Sequence, residues 1–115
     1  MDNVNEIEQL VSKVNQFREE RNWRQFHKAK DLAISVSIEA AELLEDFQWK
    51  TSEEAVEANF ENIKEEIADV LIYSIMLADD LKLDIGTIIE EKLEKNARKY
   101  PVEKSKGNNA KYTEL

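Results

Sequence analysis

A chain of 115 residues with a formal charge of −9, no cysteine, two glycines and one proline excludes much before any motif is read. Disulfides, thiolate metal sites and cysteine nucleophiles are ruled out, and the negative charge argues against broad binding to a nucleic-acid polymer, whose phosphate backbone would be repelled. Scarce turn residues beside abundant Glu, Lys, Leu and Ala favour long helices over a β architecture, and 42% hydrophobic residues suffice for one all-α domain that self-association would help to stabilise.

Apolar residues at Ile7, Leu10, Val11, Val14 and Phe17 recur at helical spacing, predicting a first helix from Val4 to about Glu20 with Asp2 or Asn3 as its cap. The opening MDNVNEIEQL has neither a basic start nor an apolar run, and no stretch approaches membrane-spanning length, so a cytoplasmic protein without membrane contact is expected. RNWRQFHKAK, residues 21–30, holds two aromatics, the only histidine and four basic side chains without a clear period; it reads as a functional connection, with Phe26 as core. A second helix is expected from about Lys30 to Phe47. TSEE then offers a capping box through Thr51, or a Ser52 cap, for a long third helix reaching Leu81. Asp84 caps a fourth, carrying Ile85, Ile88, Ile89 and Leu93, until Tyr100 and Pro101 stop it. Residues 1–103 are thus the expected domain, and the polar residues 104–115 a mobile tail.

At about 100° per residue, Leu32, Ala33, Val36, Ala40, Leu43 and Phe47 form one apolar stripe, with Glu39, Glu42 and Asp46 on its flank. The third helix repeats the pattern: Phe60, Ile63, Ile67, Val70, Leu71, Ile75 and Ala78 make the stripe, and Glu66, Asp69 and Tyr73 lie along its margin. One acidic pair at i,i+3 is usually a solvated face. Two pairs on consecutive antiparallel helices, each bordering a buried stripe, would face one another at a packing distance of about 8–10 Å. Carboxylates gathered there raise one another's pKa unless a cation neutralises them, and oxygen-only ligation suits Mg²⁺, with Mn²⁺ as a substitute. A Glu-x-x-His di-iron site cannot be built from a single histidine outside these helices.

The pattern ExxE at Glu39 and Glu42, followed by EExxD at Glu65, Glu66 and Asp69, resembles the all-α MazG-type nucleoside triphosphate pyrophosphohydrolases. FREERNWRQFH, EAAELLEDFQW, EEIADVLIY and KNARKYPV extend the likeness, toward the dCTP pyrophosphatase branch, over roughly residues 15 to 103. Alone ExxE says little; four ordered blocks are specific. The resemblance implies a four-helix subunit forming an intersubunit helical bundle as a homodimer or homotetramer, with the active site near a subunit interface. It implies cleavage of a nucleoside triphosphate to the monophosphate and pyrophosphate, with dCTP or modified pyrimidine deoxynucleotides as substrates and Mg²⁺ held by Glu39, Glu42, Glu66 and Asp69. The carboxylate that takes the water's proton is left open between Glu42 and Glu45. Trp23, Trp49 and Tyr73 become walls for base and sugar, His27 a polar contact to the base, and Arg24 and Lys30 phosphate contacts before a helix N-terminus.

Lys92 and Asn96 fall in the stripe set by Ile85, Ile88 and Ile89, with Lys99 close by. Either that helix leaves the core after Ile89, with Lys95 pairing to Glu91, or, as the resemblance implies, Lys92, Asn96 and Lys99 meet phosphate or sugar and Tyr100 lies near the ribose. Ile38, where many relatives begin the motif with a second glutamate, leaves the number of ions open, and Asp31 and Val14 leave the base preference open. Two alternatives stand beside this reading: the same fold acting on dUTP or noncanonical purine triphosphates, and a non-catalytic helical interaction module.

Overall fold

The computed structural model describes residues 5–114, and every regular element among them is a helix. The chain forms two compact units, one ending at Lys82 and the other beginning at Leu83.

The first unit holds α1 (Glu6–Glu20), α2 (Ala29–Glu45) and α3 (Ser52–Asp80). The caps expected at Asp2 and Asn3 lie outside the described residues. Asn5 performs the capping, its Oδ1 accepting the Glu8 N–H at 2.8 Å, with Glu6 and Glu8 in the first turn favoured by the helix dipole. A 3-10 turn at Arg24–Phe26 leads into α2. The end of α2 tightens through Phe47 N–H to Leu44 C=O and Gln48 N–H to Glu45 C=O, and the chain reverses at Trp49, whose φ of +64° is left-handed. The expected capping box is present: Glu54 N–H donates to Thr51 Oγ1, and Thr51 N–H to Glu54 Oε1.

Two features depart from the sequence expectation. α3 kinks at Asn59 (φ −122°, ψ 24°), where the side-chain amide donates to the Asp46 carbonyl at 2.7 Å; an orphan carbonyl beyond α2 is satisfied by a break in α3. The buried stripes are also rotated. On α2 the inward residues are Leu32, Val36, Glu39, Leu43, Asp46 and Phe47, while Ala33 and Ala40 are exposed. On α3, Ala55, Ile63, Met76 and Ala78 are buried, whereas Phe60, Ile67 and Leu71 face outward. Glu39 and Glu66 consequently sit within the helix contact rather than at its edge. Phe26, expected in the core, is 65% exposed, because the 3-10 turn directs it away from α3.

One residue buried in this unit is charged. Arg18 has 0% exposure and donates from Nη1 and Nη2 to the two Asp80 carboxylate oxygens at 3.0 and 3.2 Å. Arg24 extends the network to Asp80 at 2.9 Å, Asp79 at 3.0 Å and Glu19 at 3.2 Å. The end of α1 and the following connection are thereby held to the end of α3.

In the second unit, Asp84 caps α4 (Ile85–Lys99), its Oδ2 accepting the Thr87 N–H at 2.9 Å. Pro101 ends the run, and α5 (Val102–Ser105) and a 3-10 turn at Tyr112–Glu114 follow. A short helix and a turn thus occupy the segment expected to trail as a tail. No ion pair joins Lys95 to Glu91 among the described residues, and no described helix is long and apolar enough to cross a membrane.

Asp80→Ala leaves the Arg18 cation buried without its carboxylate and is expected to lower the unfolding free energy by about 3–5 kcal/mol, read from urea denaturation. Arg24→Ala removes a half-exposed partner and should cost about 1 kcal/mol or less.

Candidate active site

The inward faces of α2 and α3 meet through carboxylates. Glu39 lies beside Glu42 and feels the charge of Asp69, while Glu66 comes up against Asp46 and feels Glu42 and Glu39. As the number rises from 39 to 46 on α2 it falls from 69 to 66 on α3, so the helices run antiparallel and two acidic layers are stacked along their contact. Oε2 of Glu39, Oδ2 of Asp46 and Oε2 of Glu66 are each buried without a hydrogen-bond partner. Such oxygens are costly unless they share a proton or bind a cation.

Crowding raises proton affinity in the cluster. The close approach of the Asp46 carboxyl, then desolvation and the nearby acids, push the Glu66 carboxyl up to about 7. Glu39 is also raised, first by burial and then by the neighbouring Glu42 carboxyl. Among the described residues no three Asp, Glu or His side chains close a metal site by themselves; the acids stand as facing pairs. The donor set nevertheless fits a hard divalent cation. It is oxygen-only, two helices supply it, and three of its buried oxygens are unpartnered. Glu39, Glu42, Glu66 and Asp69 all belong to this network. Glu45 does not: it ends α2 exposed, and it is not among the acids acting on Glu39 or Glu66.

Beside the acids, Lys13, Val14 and Phe17 of α1, Trp23, and Asp69, Ile72, Tyr73 and Met76 of α3 line a cavity of about 430 Å³. That is the size of a small-molecule pocket, and Asp69 belongs both to it and to the acidic network. Trp23 stands edge-on to Phe17 at 5.5 Å and to His27 at 6.0 Å. Burial, then the Arg18 charge, holds the His27 pKa below its ordinary value, and its buried Nδ1 has no partner. A neutral imidazole beside the aromatic wall is the consequence.

The structure thus brings Trp23 and Tyr73 to one cavity beside the acids, with His27 behind Trp23 and outside the lining. Other residues singled out from sequence fall elsewhere. Arg24 is committed to Glu19, Asp79 and Asp80. Lys30 lies with Ile34 and Ile38 along a shallow groove which, at 100° per residue, is the face of α2 opposite Glu39. Trp49 is 97% exposed on its left-handed turn. In the second unit Lys92, Lys99 and Tyr100 are exposed and Asn96 half-buried on α4. Sequence reading left Asp46 and Lys13 outside the site. Asp46 carried a signal, sharing the flank of Glu39 and Glu42; Lys13 had none, because its place depends on how α1 packs on α3.

Comparison with known proteins decides the family. The model of the MazG-like family matches residues 34–115. The chain belongs to the MazG-like family. It is 37% identical over 105 residues to dCTP pyrophosphatase 1 of Bos taurus and 36% identical to that of Homo sapiens, each match covering 87% of this chain and 62% of the relative. It therefore spans less than two thirds of the length of these relatives. A crystal structure of a pyrophosphatase from Archaeoglobus fulgidus superposes with a TM-score of 0.80 and 42% identity, covering 88% of this chain and 97% of that one. The chain shares its fold with that structure.

A carboxyl raised from the ordinary 4.5 to about 7 binds its proton more tightly folded than unfolded. The stability it contributes is full below its unfolded pKa and is lost as pH rises through 7. In a chelator, the melting temperature is expected to rise as pH falls from about 8 to about 5.5, and Glu66→Gln should flatten that slope and raise the melting temperature at the alkaline end; calorimetry at several pH values checks both.

Proposed function

We propose that the chain is a Mg²⁺-dependent nucleoside triphosphate pyrophosphohydrolase that converts a deoxynucleoside triphosphate of the cytoplasmic pool to its monophosphate and pyrophosphate. The observation that carries this reading is the double membership of Asp69, in a buried acidic network and in an aromatic cavity able to hold a base. The printed names of the relatives, dCTP pyrophosphatase 1 and a pyrophosphatase, support it, with dCTP or a modified pyrimidine deoxynucleotide as the substrate.

Glu39, Glu42, Glu66 and Asp69 would hold Mg²⁺, with Asp46 behind Glu66. When bound, the ion supplies neutralisation of phosphate charge and a lowered pKa for water. The residues of the chain do the rest. Trp23 and Tyr73 stack against the base, and Val14, Phe17, Ile72 and Met76 exclude water around it. His27, neutral through burial, offers a hydrogen bond. Glu42 is the better candidate than Glu45 for the proton of the attacking water, because Glu42 acts on both Glu39 and Glu66. Lys92, Asn96 and Lys99, two ammonium groups and an amide on one face of α4, keep the chemistry of phosphate contacts, and Tyr100 that of a sugar contact.

The reading includes a homodimer or homotetramer. Ile34 and Ile38 on the outer face of α2, and Phe60, Ile67 and Leu71 on α3, are exposed in the single chain; exposed apolar faces of this kind call for a partner. Trp49, left in solvent by its own chain, would serve a neighbouring subunit.

Glu66→Gln or Asp69→Asn should lower Mg²⁺-dependent pyrophosphate release by at least about 100-fold while the helical circular-dichroism spectrum persists; full activity in either refutes the assignment. A panel of dCTP, 5-substituted dCTP, dUTP and purine triphosphates settles the base. Trp23→Ala is expected to raise KM about ten- to a hundred-fold through lost stacking.

A further inference from the structure

The negative charge of the chain is unevenly placed: residues 95–111 hold six Lys or Arg and a single acid, Glu103. Folding draws several of those cations together. Lys95, Arg98, Lys99, Pro101, Lys104 and Tyr112 line one cavity of about 590 Å³ within the second unit. Pro101 stops α4 and starts α5, which returns Lys104 to the cations of the last α4 turns. The Tyr112 ring comes from the 3-10 turn that follows, 6.0 Å edge-on from Tyr100 and 4.8 Å from Lys99 Nζ.

Basic residues in the last turn of a helix have an ordinary explanation, since they complement its carbonyl end by a few tenths of a kcal/mol. That accounts for Arg98 and Lys99. Lys104 stands in the same way in the single turn of α5, but the explanation does not cover Lys95, or an aromatic ring brought back over the same cavity. Among the described residues, none of the four cations makes an ion pair or a side-chain hydrogen bond to an acid. Four like charges round one concavity repel, and an anion relieves them. The cavity is open to solvent and has room for a phosphoryl group with or without a nucleoside. Lys92 and Asn96 do not line it, whereas Lys99 belongs both to this cavity and to the α4 face assigned above to the substrate.

We propose that this cavity is a cation-independent binding site for a phosphoryl anion, inorganic pyrophosphate or a nucleotide, with the phosphate oxygens on Lys95, Arg98 and Lys104 and, in a nucleotide, the base against Tyr112. Guanidinium and ammonium groups take phosphate directly, without the bridging ion that an acidic cluster requires. The inference does not rest on the hydrolase reading.

Isothermal titration of the full chain in a chelator at low salt tests it, with inorganic pyrophosphate and cytidine monophosphate as probes and the Glu66→Gln chain as a parallel sample. One saturable site per chain is expected in both proteins, weakening as salt is raised. The triple variant Lys95→Ala, Arg98→Ala, Lys104→Ala should lose at least about tenfold in affinity for both probes, and Lys104→Glu alone should lose affinity in the same direction. Tyr112→Ala separates the sources: weaker monophosphate with unchanged pyrophosphate binding identifies a nucleotide site, and no change in either identifies a site for the phosphoryl group alone. Absence of saturable binding by both probes, or unchanged affinity in a triple variant that melts like the parent, overturns the proposal. Loss of hydrolysis in Glu66→Gln leaves this outcome untouched, so the two readings fail separately.

Discussion

The contact between α2 and α3 is built around a repulsion. Two helices that would pack as apolar rods instead place Glu39, Asp46 and Glu66 on their inward faces, with buried oxygens that find no partner. Helix packing forces the acids together, and nothing in the chain except a proton shared between carboxylates compensates. The rise of the Glu66 carboxyl to about 7 follows from that conflict. A cluster arranged for stability alone would have replaced these acids with leucine, because an unpaired buried carboxylate favours unfolding. On the proposed reading, a bound cation would supply the missing charge.

The rest of the first unit holds this unfavourable contact in place. Arg18, fully buried on Asp80, ties α1 to the far part of α3, and Trp23 follows directly in the chain, its N–H donating to the Arg18 carbonyl. The aromatic wall is therefore fixed by the same anchor that closes the bundle. At the other end Asn59 breaks α3 to reach the Asp46 carbonyl, fixing the backbone of the residue that meets Glu66. The carboxylates are held from both ends by polar contacts of quite different kinds.

Much of this was legible in the sequence. The capping box at Thr51, the Asp84 cap and the stop at Pro101 are local, set by residues three or four apart, and they appear as expected. The two acidic pairs were visible because a 3.6-residue period places them regardless of the partner. What remained hidden depends on contacts distant in sequence. The rotation that carries Glu39 from the flank to the centre of the contact is set by the helix pair, not by either helix. The assignment of Arg24 to phosphate missed Asp79 and Asp80, more than fifty residues away, and the kink at Asn59 answers an orphan carbonyl that belongs to another helix.

On the proposed reading, the cavity beside Asp69 would also constrain selectivity. Its walls are chiefly Val14, Phe17, Trp23, Ile72, Tyr73 and Met76, and flat aromatic and aliphatic surfaces accept any base by stacking. Discrimination has to come from the few polar groups present. Lys13 offers only donors and Asp69 only acceptors when ionised, while the Tyr73 hydroxyl can do either. A base edge that presents an acceptor to Lys13 matches this set. One that presents an amino group there leaves a donor facing a donor, a mismatch that a site of this kind rejects more strongly than it rejects a change in size.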